Sequence, residues 1–87
     1  MPRVGVLAPM PRYYFHLFND ETVCDLEGTE LPNAAVALQS AAAIARDMAA
    51  QSVRDGRLVL DDRIEVTDQS KALVGKVHFR DVVLIVQ

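Results

Sequence analysis

Bulky and polar positions begin to alternate at Arg12. In Arg12-Tyr13-Tyr14-Phe15-His16-Leu17-Phe18 the aromatic and bulky residues predict a strand. Tyr13, Phe15 and Leu17 share one face; Tyr14, His16 and Phe18 share the other. Asn19-Asp20 is a turn pair, and Thr22 to Leu26 predicts the returning strand. Loop length sets the register of this hairpin. A two-residue loop puts Cys24 opposite Phe15, and a three-residue loop puts it opposite His16. The shorter loop is preferred, because it gathers Tyr13, Phe15, Cys24 and Leu26 on one apolar face. Gly28 then ends the strand in a turn or bulge.

The period changes after Leu31-Pro32-Asn33, where Asn33 is a good helix cap. The spacing predicts a helix from about Ala34 to Asp55, ended by Gly56 in a left-handed conformation. Ala34, Ala37, Leu38, Ala41, Ala42, Ile44, Ala45, Met48, Ala49 and Val53 fill one half of its wheel. A face this rich in alanine lets the helix lie close to what it packs on. Leu58 to Leu60 is an apolar bridge. Arg63 to Thr67 alternates as a strand, Asp68 to Lys71 supplies a turn, and Ala72 to Phe79 returns. Pairing about that turn puts Val66 beside Leu73 and Ile64 beside Gly75. Glu65, Val74, Lys76 and His78 then take the opposite face. The tail Val82 to Val86 is β-branched and predicts a fifth strand, with a closing helical turn near Asp81 as the weaker option.

The order is therefore ββαββ. It predicts a two-layer α+β domain: an antiparallel sheet of four strands, five if the tail pairs, with one long Ala-rich helix on one face. On this reading the helix covers Tyr13, Phe15, Leu26, Ile64, Val66, Leu73, Val77 and Phe79. The other face carries Tyr14, His16, Phe18, Val23, Val74 and His78. That face is too apolar to be fully solvated, so these six residues are the candidate interface. A homodimer through this face or through the C-terminal segment Val82 to Val86 is expected, since two-fold dimers are the commonest oligomers.

Four segments resemble one family of small bacterial proteins, a domain of unknown function: "MPRYYFHL" (Met10–Leu17), "DLEGTELP" (Asp25–Pro32), "RIEVTD" (Arg63–Asp68) and "VHFRD" (Val77–Asp81). The resemblance runs from Met10 to about Val83. It implies a domain that starts at Met10, and it supplies no functional residues. The apolar tail and the first nine residues depart from it. Met-Pro-Arg occurs at Met1 and again at Met10, so residues 1–9 are read as a flexible N-terminal extension and 10–87 as the single domain.

Composition narrows the function more than it names it. The chain has 87 residues, 51% of them hydrophobic, enough for one domain with a core. Its net charge of −3 and scattered Lys and Arg disfavour nucleic acid as a partner. The longest apolar run is Val82 to Val86, far short of the roughly 18–20 residues that span a bilayer. One cysteine, Cys24, allows no internal disulfide, and no signal-peptide core is visible, so a cytoplasmic location is expected.

Chemistry-bearing residues are few. His16, His78 and Cys24 lack the spacing of a metal site and would have to converge from separate strands, so neither metal nor other cofactor is expected. Cys24 with a histidine is a conceivable nucleophile and base, but Glu21, Asp25 and Glu27 beside it oppose thiolate formation. There is no Gly-rich phosphate loop. The five acids between Asp20 and Glu30 fit no calcium-loop register. They read as a solvated turn, or as a docking site for a basic partner. The expectation is a small non-catalytic interaction module that self-associates, with room for an unidentified protein partner. The alternative is an antitoxin-like regulator acting through a protein partner or nucleic acid, although no helix-turn-helix or basic arm is present.

Overall fold

A computed structural model describes residues 10–87; the segment 1–9, read above as an extension, lies outside the described residues. Strand β1 is Arg12–Phe18, β2 Thr22–Val23 and β3 Thr29–Glu30. Helix α1 spans Ala34–Arg54, followed by β4 Arg63–Thr67, β5 Leu73–His78 and a 3-10 turn at Phe79–Asp81. The sheet is antiparallel, in the order β2-β1-β4-β5, with β3 also paired to β1. This is the expected α+β arrangement of one helix on an open sheet. The fifth strand is β3, not the tail, because Val82 closes the 3-10 turn and residues 83–87 form no regular structure.

The helix forms where its caps allow it. Asn33 Oδ1 accepts the Val36 N–H at 2.9 Å, and Gly56 takes the positive φ of 91° that ends the helix. Ala37, Ala41, Ala45 and Ala49 are all buried, one ridge at i, i+4 spacing. They let α1 press on β4 and β5, where Ile64 and Val66 are its fully buried partners. The buried stripe is narrower than the wheel predicts: Ile44 and Val53 are exposed. Phe79 completes the core from the 3-10 turn instead of extending β5. Its N–H donates to the Asp62 carbonyl at 2.8 Å.

Two registers differ from the expected ones. In the first hairpin Leu17 pairs with Val23 and Phe18 with Thr22, so the loop has three residues, Asn19 to Glu21, and Cys24 falls opposite His16. Asn19 favours the longer loop by accepting the Glu21 N–H on its side chain at 2.9 Å. In the second, Ile64 pairs with Val77 and Val66 with Gly75, and a bulge shifts Thr67 onto Leu73. Paired residues share a face, so these shifts move side chains across the sheet. Val23 joins Leu17 on the helix side, and Val74 packs against the core. Leu73 leaves the covered face and is exposed. Leu26 lies outside any strand and is 88% exposed. Gly75 sits under the helix: a Cβ there would come within 2.8 Å of Leu38 Cδ2.

Candidate functional site

Of the six candidate interface residues, Tyr14, His16, Phe18 and His78 remain on the open face of the sheet. Val23 and Val74 do not, for the register reasons above. The open face is also more polar than the alternation implies. Arg63 pairs with Phe18 in register and stacks on its ring at 4.5 Å. Glu65 takes a hydrogen bond of 2.6 Å from Arg63 Nε and lies 4.0 Å from Lys76 Nζ. This ion-paired row occupies the middle of the face.

Beside it is a groove of about 420 Å³, lined in part by Tyr14, His16, Cys24, Leu26, Thr67 and Lys71. Its first wall is the arch that links β2 to β3, and Asp25 holds that arch in place. Between the short ladders that β2 and β3 make with β1, the Phe15 N–H lacks a strand partner and donates to Asp25 Oδ2 at 3.1 Å. Asp25 Oδ1 accepts the N–H groups of Glu27 and Gly28 at 3.1 and 3.0 Å. Burial pushes this carboxyl up, but the Gly28, Phe15 and Glu27 donors together with His16 outweigh it and hold it below the usual range. Gly28 closes the arch at φ 70°, where a Cβ would lie 2.8 Å from the Tyr13 carbonyl. Arg12 ties it down by donating from Nη1 to the Glu27 carbonyl at 2.8 Å.

His16 forms the floor. Its Nδ1 accepts the Asp25 N–H at 3.1 Å, so the proton of the neutral ring is on Nε2, which donates to Thr67 Oγ1 at 3.0 Å. Both ring nitrogens are thus engaged in joining the arch to β4. Cys24 is exposed in the same groove, yet His16 has no lone pair left to take its proton. His78 lies on β5 opposite Arg63, in line with Phe18 and not with His16. Its N–H donates to Asp81 Oδ2 at 2.9 Å. Among the described residues no group of three or more His, Cys, Asp or Glu side chains could hold a metal ion.

The opposite wall is the β4–β5 turn. Asp68 Oδ1 accepts from the Ser70 hydroxyl at 2.7 Å, the Ser70 N–H at 2.8 Å and the Ala72 N–H at 3.0 Å. The Ser70 hydroxyl and the Ala72 N–H hold the Asp68 carboxyl below the usual range. Lys71, at φ 69°, stands exposed at the rim.

A family described as Domain of unknown function (DUF6894) matches residues 12–80, most of the chain. The chain belongs to this family. The matched stretch of DUF6894 holds the whole sheet, the helix and both walls of the groove, and leaves the segment after Arg80 outside. No curated protein and no solved structure matches the chain.

The sequence pattern missed Asp25, Thr67 and Leu26 as parts of this site. The signal for Asp25 was present, since an Asp three residues before a Gly is a side-chain-capped turn. The acids around it hid that role.

Proposed function

We propose that the domain is a non-catalytic interaction module that self-associates as a homodimer through the open face of its sheet. One observation carries this reading: Leu26, 88% exposed, lines the groove, and Leu73, 52% exposed, lies on the same side of the sheet, a face that no other layer covers among the described residues. Large apolar side chains left exposed on an uncovered face mark interaction surfaces. The bonds made by His16 favour binding over catalysis, because they fix the ring as a strut. A protein partner is favoured over nucleic acid. Arg12, Arg57, Arg63, Lys76 and Arg80 lie against Glu30, Asp20, Glu65, Glu65 and Asp61 respectively, so much of the basic charge is already matched.

A second surface has its own support. Leu84, Ile85 and Val86 are consecutive and all exposed, and they would suit a contact between copies along a sheet edge. Sedimentation at micromolar concentration tests the reading. The expected result is a species of twice the 9.6 kDa chain mass; a monomer overturns it. Replacing Leu84, Ile85 and Val86 by serine should leave the dimer intact, and its loss would move the interface to that segment.

A further inference from the structure

The groove has a knob and two unmatched charges beside it. Leu26 projects from the arch, and Glu27 follows it, also exposed. Across the groove stands Lys71. Arg12 gives its ion pair to Glu30 and reaches only the backbone carbonyl of Glu27. Among the described residues neither Glu27 nor Lys71 has an ion-pair partner within its own chain. The arch side thus offers an exposed leucine and the Glu27 carboxylate, and the far side offers Lys71, beside an Asp68 whose Oδ1 is taken up by its own turn.

Resting on the reading of the open face as a dimer interface, we propose that the arch of each copy docks in the groove of a second copy. Leu26 of one chain enters the space over Tyr14, His16 and Thr67 of the other, and Glu27 meets Lys71 of the second copy. A two-fold contact makes every interaction twice. Knob and groove must therefore lie side by side on one surface, as they do here. The arrangement covers Leu26, which a small molecule within the groove would leave half in water. It also explains why the arch is held so firmly: a knob fixed by Asp25, Gly28 and Arg12 loses little freedom on docking.

The test uses charge reversal across the contact. Glu27→Lys and Lys71→Glu each set like charges against each other twice per dimer, so each variant alone should dimerise roughly tenfold or more weakly. Mixing the two should restore the dimer. In the mixed pair the new lysine of one variant faces the new glutamate of the other, and the second contact keeps its native charges. Leu26→Asp should abolish the dimer, with an unchanged circular dichroism spectrum showing that the exposed site left the fold intact. A dimer that survives Leu26→Asp overturns this docking while leaving self-association standing, and so does a mixture that stays monomeric. A wild-type chain that is itself monomeric overturns both.

Discussion

At the residue scale the Asp25 carboxylate gathers three backbone N–H groups, one of them from the middle of β1. An edge strand normally leaves its outward N–H groups to water or to another chain. Here β1 is paired at its two ends, and the Asp25 carboxylate takes the Phe15 N–H between them. Asp25→Ala leaves three backbone donors without their acceptor and should cost about 1–3 kcal/mol. The carboxyl titrates below its unfolded value, because burial, which raises it, is outweighed by the backbone donors and His16. Its contribution is therefore fully present above about pH 4 and is lost as the pH falls through the folded value. Urea denaturation from pH 7 down to pH 2 should show wild type and Asp25→Ala converging at the acid end. A constant gap would mean that the ionised carboxylate does not hold the arch. None of this was legible from an alternating pattern, since a side chain that replaces a strand partner leaves no periodicity. The Asp-x-x-Gly spacing was the only trace.

At the scale of elements, legibility followed the regularity of the backbone. The helix was readable to within a residue of its ends because its signals are local: Asn33 caps it, alanines recur every four residues and Gly56 ends it. The existence of β1, β2, β4 and β5 was readable for the same reason, from β-branched and aromatic runs; the two-residue β3 was not. Register was not. A three-residue loop in one hairpin and a bulge in the other each move side chains to the opposite face, which sends Val23 and Val74 towards the helix and Leu73 away from it. The tail misled because β-branched residues also suit irregular backbone where Val82 and Val83 pack on a core. The alanine ridge gives the sharpest test at this scale. Ala41 is fully buried between helix and sheet, and Ala41→Leu should destabilise by roughly 1–3 kcal/mol through overpacking. Thermal denaturation would read it, and an unchanged midpoint would show that α1 does not lie close on β4 and β5.

At the scale of the whole molecule, one layer of helix covers one face of a five-stranded sheet, and function is assigned to the face it leaves open. That face is a composite. An ion-paired row of Arg63, Glu65 and Lys76 can stand in water, whereas the groove beside it, with Leu26, and the exposed Leu73 on β5 are better covered. No helix among the described residues is long and apolar enough to cross a membrane. The most direct measurement is the backbone amide NMR spectrum followed on dilution, because it locates a contact between copies as well as detecting one. Amides of Tyr14, His16, Leu26, Thr67 and Leu73 should shift as the dimer dissociates, while those of Ala35, Ala43 and Ala50 on the outer helix face stay fixed. Shifts confined to the helix, or a spectrum that does not change with concentration because the chain is already monomeric, would contradict the open face as the interface.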